Sequence, residues 1–473
     1  MSYELFRPIP ALAGKQVGET SPATVAGGQK KGTAKTKQPA ANIYAQNDEA
    51  KGYTHYSQGT MYEKQGNLKK AAEEYAAAVR YLPKSAPAYT ALGNVYMKTG
   101  KETEGIKMYK KAAAFDPKYS PARRNLAAAY ISQSKFSEAI AQYEMLTDFE
   151  TPTSEINFVL GYLYAKEGRD TEAIKCYEKA IKSGENTALA YYNLGYSLSK
   201  REMFEQAIEA YEKAVSLSSD WFEPVFNLGI LYQIRQDFDK AISRLEKAKQ
   251  LSPDSLLTYT NLASIYERTK NYEKAVENYK KAIELRPGDF VLNLLLGITY
   301  MNAGKNEDAL DACSEAYRIA PKESSVAFQM GAIYYQMKNY DKAIEFLKAA
   351  IELNDKHAHA LNTLAYIYAE LGINLKEAET LINRALELQP DNWAFLDTLG
   401  WVYFKKGMYD DSVIYLQKAA DGSDSDPMIM VHLGDALEKK GSKKEALEKW
   451  KKAFELNPKD TETLRKIKKY SGQ

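Results

Sequence analysis

The chain has 473 residues, with 64 Lys and Arg against 62 Asp and Glu, 45% hydrophobic content and two cysteines. That near-neutral balance excludes the strongly basic footprint of a dedicated nucleic-acid binder, and Cys176 and Cys313 are too few for a disulfide framework. The apolar runs fall short of the roughly 18 consecutive residues that a membrane span requires, and the start lacks the basic, apolar and small-residue succession of a secretory leader. A cytoplasmic location is therefore expected for the chain as written, with envelope association the alternative if a native start has been trimmed.

The first thirteen residues, MSYELFRPIPALA, are apolar and aromatic, whereas residues 14 to 41 carry Gly, Ala, Thr, Pro and Lys with almost no bulky apolar groups. Such a composition cannot offset the entropy of ordering, so residues 1–51 are predicted to be a flexible arm and linker. The isolated apolar cluster at 1–13 is expected to act as a peptide ligand for its own chain, a copy or a partner. About 38 linker residues would span about 30–40 Å as a coil, and self-association through this arm is one expected consequence.

From residue 52 to residue 460 the chain repeats itself. A small residue recurs at Gly59, Gly93, Ala127, Gly161, Gly195, Gly229, Ala263, Gly297, Gly331, Ala365, Gly400 and Gly434, with steps of 34 residues except one of 35 before Gly400. Three residues after each comes Tyr in ten of twelve units, from Tyr62 to Tyr403, with Leu198 and Leu437 in the other two. Twelve residues after it a second small residue returns, from Ala71 to Ala446, and the extra residue of the long unit falls in the turn Gly372-Ile373-Asn374. Seven units end in Pro: Pro83, Pro117, Pro253, Pro287, Pro321, Pro390 and Pro458. Small residues let two helices cross closely, large tyrosines fill the space beside them, and proline ends the second helix because it lacks an N–H and clashes with the preceding turn. One unit cannot bury its apolar face alone, so its stability comes from its neighbours.

Residues 461–473 follow as a terminal helix, in which Leu464 and Ile467 are expected to face the last repeat while Arg465, Lys466, Lys468 and Lys469 meet water. Gln58 stands where sibling units carry Leu or Met, the mark of an atypical first repeat.

These residues resemble the tetratricopeptide-repeat signature W-x2-L-G-x2-Y…A-x3-F…P, in frame, with ALGNVYMKTGKETEGIKMYKKAAAFDP (residues 91 to 117) showing it in one unit. The resemblance implies an all-α, right-handed α-solenoid of twelve helix-turn-helix repeats at 52–460 with a capping helix. It further implies a concave wall built from the first helix of each repeat. Residues 361 to 420 look like the C-terminal block of many bacterial proteins of this kind, which carry an LDSLGW-type repeat and then an HLGD unit, here His432 to Asp435.

On the implied wall, the residue two before the small one is Asn125, Asn193, Asn227, Asn261 and Gln329 in repeats three, five, six, seven and nine. An amide there donates to and accepts from a peptide backbone, and long members of the family use such a ladder to hold extended chains. Phe158, Tyr162, Tyr192, Tyr196, Phe226, Phe328, Tyr366 and Trp401 flank the same wall as candidate anchors, although packing between adjacent first helices accounts for such residues equally well. A basic residue recurs five places after the small one, at Lys64, Lys98, Lys166, Lys200, Arg268, Lys405 and Lys439. A solvated face explains that stripe better than a binding edge does. The carboxylate clamp of the family is matched by Asn94 and Asn125, but Thr90, Glu155 and Val159 occupy its other three places, which argues against chaperone-tail recognition.

No nucleophile–base pair, phosphate loop or metal-ligand cluster stands out, so neither cofactor, metal nor catalysis is expected. His357 and His359 lie two apart, a poor metal pair on a helix. Asp421, Asp424 and Asp426 lack the order of a calcium loop, and Cys313 fills a core aromatic's place as a small apolar residue. The expected function is a non-enzymatic scaffold binding protein or peptide partners, without nucleic acid. The alternative is a substrate-recognition subunit of a separate modifying enzyme or chaperone system.

Overall fold

The second helix of each repeat is specified by apolar residues at i, i+4 and i+7. In Leu68–Tyr81 the buried residues are Ala71, Tyr75 and Ala78; in Phe204–Leu217, Ala207, Tyr211 and Ala214 lie on one such face. This is the stripe a helix shows when it packs on a neighbour. First helices are apolar on more sides, because each touches its own second helix and the repeats before and after. Phe222–Ile234 buries nine residues in succession, from Pro224 to Tyr232.

The computed structural model describes residues 40–149, 151–423 and 425–471. Among these are twenty-five helices, in twelve consecutive pairs and one terminal helix. The apolar arm at 1–13 and Asp424 lie outside the described residues. The first helix begins at Ala40, inside the predicted linker. Its leading residues AANIYAQNDEAK hold neither Gly nor Pro, and their Ala, Gln, Glu and Lys lose little on entering a helix.

Every first helix ends in one device. The residue seven after the small one has a positive φ in all twelve repeats, as Gly in seven and as Ser134, Glu202, Gln236, Lys270 or Lys338 in five. The next N–H then reaches back to the carbonyl of the recurring Tyr or Leu: Asn67 N to Tyr62 O at 2.9 Å, Met203 N to Leu198 O at 3.0 Å, Asp237 N to Tyr232 O at 2.9 Å. This is a Schellman closure, which satisfies carbonyls that the helix end would otherwise orphan. In the long repeat two left-handed residues, Gly372 (φ 69°) and Asn374 (φ 49°), take up the extra residue. Side-chain caps start many helices, among them Thr153 on Ile156, Thr187 on Ala190, and Asn392 on Ala394 and Phe395.

The small residues sit where helices cross. A Cβ built at Gly195 would lie 2.8 Å from the Tyr211 ring, and one at Gly434 2.5 Å from Trp450. Cys313 faces Gly297 with its side chain wholly buried, in the place of that aromatic.

The chain divides into two compact units, to Leu251 and from Ser252. In each, first and second helices pack in antiparallel pairs, and a second helix also packs on the first helix that follows it in the same unit. Six pairs form the first unit; six pairs and the terminal helix Thr461–Ser471 form the second. That helix covers the last pair: Tyr470 lies on Trp450 with ring centres 5.5 Å apart, and Thr463 is buried. Lys466 does not simply meet water as expected, because its ammonium binds both oxygens of Asp435 at 2.7 Å. Among the described residues no helix is long and apolar enough to cross a membrane.

Candidate functional site

In the first unit the first helices Ser154–Lys166, Ala188–Lys200 and Phe222–Ile234 carry a wall that is apolar yet studded with polar atoms. Tyr177 and Tyr211 of the second helices back the first two, and Leu245 backs the third. Tyr177 and Tyr211 are fully buried, and burial pushes both phenols well above their ordinary pKa, so they remain O–H donors.

Against them lie the amides. Asn193 is 2% exposed and Asn227 0%. Asn227 Nδ2 donates to the Tyr211 hydroxyl at 3.3 Å, but the Oδ1 atoms of both asparagines are buried with no hydrogen-bond partner. The same holds for Ser197 Oγ, Tyr177 OH and Asp170 Oδ1, while Asp170 Oδ2 pairs with Lys200 at 3.2 Å. Buried polar groups are nearly always paired, so five orphaned atoms between residues 170 and 227 are unusual in one stretch of chain. Their chemistry is mixed: amide and carboxylate oxygens accept, a phenol donates, and a hydroxyl does either.

The other predicted amides are already committed. Asn125 Nδ2 donates to Asn94 Oδ1 at 2.8 Å, an oxygen that also accepts from Tyr109 at 2.7 Å. Asn261, in the second unit, donates to its own helix at Leu257 O at 2.7 Å, and Gln329 Nε2 lies 3.2 Å from the Met301 sulfur.

The aromatics divide similarly. Tyr192 is 0% exposed between Tyr211 and Trp221, at 5.8 and 4.7 Å. Phe226, at 3%, stacks on Phe222. Phe158 packs on Tyr177 at 5.8 Å. Of the first unit's predicted aromatics, Tyr196 keeps the most surface, and Tyr162 lies under Lys166. In the second unit Phe328 and Tyr366 are half-buried. Phe328 lies beside both His357 and His359, with ring centres 4.9 and 6.5 Å away. Trp401 is enclosed: its ring stacks between Phe404 at 4.6 Å and His432 at 4.0 Å, and its indole N–H donates to Glu370 at 2.5 Å. His432 in turn faces both oxygens of Asp397, at 3.0 and 3.1 Å.

Four members of the basic stripe are likewise engaged, Lys98 with Glu63 at 2.8 Å, Lys166 over Tyr162, Lys200 with Asp170, and Lys405 over Trp401. Burial raises the Cys176 thiol and pushes Cys313 up to about 12, which leaves both protonated and unreactive at neutral pH.

Ser197, Tyr177 and Asp170 were not among the predicted site residues. Ser197 had a legible signal: its column, two after the small residue, is otherwise apolar except for Thr299. Thr299 satisfies its hydroxyl on Glu267 at 2.6 Å and Leu295 O at 2.8 Å, whereas Ser197 does not.

Known proteins bear on the chain as follows. Family profiles described as tetratricopeptide repeat or TPR repeat match residues 59–100, 86–119, 161–202 and 188–220. One described as the C-terminal domain of cilia and flagella-associated protein 70 matches residues 255–467. TPR repeat-containing protein PA4667 of Pseudomonas aeruginosa is 35% identical over 89 residues, 19% of this chain; the chain spans 15% of that relative's length. The solved Cut9–Hcn1 hetero-tetramer of APC/C is similar over 91% of this chain and 99% of its own, at 14% identity and a TM-score of 0.46. Yeast Tom70 is similar over 90% and 99%, at 18% identity and a TM-score of 0.40.

Proposed function

Because this chain is a tetratricopeptide-repeat protein, an all-helical solenoid of a kind used generally for protein–protein interaction, we propose that it is a non-enzymatic scaffold. Its first-helix wall at Asn193 and Asn227 holds an extended peptide segment of a partner. One observation carries the reading: two buried amide oxygens in successive repeats have no hydrogen-bond partner among the described residues. A peptide backbone supplies N–H donors at regular intervals whatever its side chains, so amide acceptors grip it without reading its sequence. Tyr177 and Ser197 supply hydrogen bonds to its carbonyls, and Tyr196 offers an aromatic surface for an apolar side chain. Assembly of several proteins follows if the second unit engages a further partner.

Selection of peptides from a random library on the full chain tests this. The expected result is enrichment of extended segments whose affinity falls at least tenfold in the double variant Asn193→Ala, Asn227→Ala, with helical content unchanged. Undiminished affinity in that variant would overturn the reading.

A further inference from the structure

A second feature of the first unit lies away from these amides, between the second helices Asp170–Lys182 and Phe204–Leu217. In four repeats the recurring tyrosine of the first helix meets the side chain twenty residues before it, on the preceding repeat's second helix. Tyr164 donates to Glu144 at 2.5 Å and Tyr232 to Glu212 at 2.8 Å. Lys110 and Lys280 reach over Tyr130 and Tyr300, each 5.8 Å from the ring centre. In repeat five the ladder breaks, because Leu198 stands where the tyrosine would be and Glu178 waits opposite without a phenol. The other leucine of the column, Leu437, faces no such vacancy, since Gln417, twenty residues before it, is already bonded to Asp421 at 2.7 Å.

A cleft of about 770 Å³ opens at this break. Leu194 and Leu198 line it, and Glu178, Glu209 and Glu212 stand round it with Lys213 as the one basic residue. Glu178 and Glu209 make no ion pair with any described residue. The cleft therefore asks for an aromatic ring with a hydroxyl donor, accompanied by positive charge.

We propose that its occupant is the chain's own N-terminal segment, residues 1–13, supplied by the same molecule. That segment carries Tyr3 and Phe6, with Arg7 as its basic side chain and Glu4 as its acidic one, so the aromatic hydroxyl and the cation the cleft lacks both lie within five residues. Tyr3 places its ring in the cleft against the half-buried Tyr191 and donates its phenol to Glu178, restoring the missing rung, while Arg7 meets Glu209. Residues 14–39 tether the segment to the helix at Ala40; 26 residues of coil have a root-mean-square reach of about 25–30 Å and extend fully to about 85–95 Å.

The test uses the full chain with the photo-cross-linker p-benzoylphenylalanine at position 3. Irradiation is expected to give adducts within the monomer on the peptides carrying Glu178 or Glu209, whereas adducts confined to cross-linked dimers would sink the proposal. Leu198→Tyr supplies the rung from within and is expected to cut adduct yield at least tenfold with melting unchanged. Should that variant fold poorly, Glu178→Gln with Glu209→Gln is expected to lower the yield at least threefold. Adducts on the first-helix wall instead, scattered adducts, or an undiminished yield in a folded Leu198→Tyr protein would overturn the proposal. The amide reading of that wall stands or falls separately, on the asparagine variants.

Discussion

The middle of the first unit and the end of the second are built from one repeat and treat their buried polar groups in opposite ways. Between residues 170 and 227 five buried side-chain oxygens have no partner, whereas from residue 369 to residue 471 no buried side-chain nitrogen or oxygen of the described residues is orphaned. There Asp397 holds His432, His432 stacks on Trp401, Trp401 reaches Glu370, and Lys466 closes on Asp435. A fully satisfied polar network rigidifies a core, while an unsatisfied one costs stability that a ligand can return. The C-terminal block thus spends its polar residues on cohesion, and the middle block leaves several of its own unspent, as the proposed peptide site requires.

The contrast breaks most visibly at Trp401. Trp401→Ala removes the centre of the stack and is expected to cost about 3–5 kcal/mol, read by denaturant unfolding followed by circular dichroism. Peptide binding to the first unit should survive below the transition. Asn193→Leu does the reverse. By removing an orphaned oxygen it is expected to stabilise by about 1 kcal/mol while lowering peptide affinity at least tenfold, measured by calorimetry on one preparation. A variant that loses both stability and affinity would erase the distinction between the two blocks.

The turns sharpen the comparison further. Glu202 and Gln236 adopt left-handed backbone in the middle block (φ 58° and 61°), where the terminal block has Gly407 and Gly441 (φ 78° and 99°). Glu202→Gly or Gln236→Gly should therefore stabilise by about 0.5–1 kcal/mol, and Gly407→Ala should destabilise by about as much. The smallest effect is expected at His357, whose Nδ1 accepts from Ala360 N at 3.2 Å as a helix cap. Burial holds its pKa below the usual imidazole value. Its contribution is complete above about pH 6.5 and is lost as the pH falls through the depressed folded value. Melting temperature should drop by about 1 °C over that range, and His357→Asn, which caps without titrating, should flatten the slope.

The helix pairs were legible from Gly59 to Gly434 because crossing geometry admits only small residues, and that demand repeats at fixed spacing. The left-handed turn seven residues later was not read, although seven of its twelve positions are Gly, because Glu202 or Lys270 at the same place disguises a backbone requirement that no side chain advertises. Asn193 and Asn125 occupy the same column and looked alike in the sequence. Only Asn125 has Asn94 within 2.8 Å, and a sequence column says nothing of what lies across the interface. Trp401 misled for a similar reason. A large ring beside a small residue reads as an anchor until His432 and Phe404 are found on its two faces.

The terminal helix Thr461–Ser471 has a consequence for assembly. With Tyr470, Thr463 and Lys466 laid over Trp450 and Asp435, the edge of the last pair at Trp450 is covered and cannot receive another molecule's opening pair. Filaments growing head to tail from that end are thereby discouraged, and shaving off residues 461–473 should turn a well-behaved solution into one that scatters light.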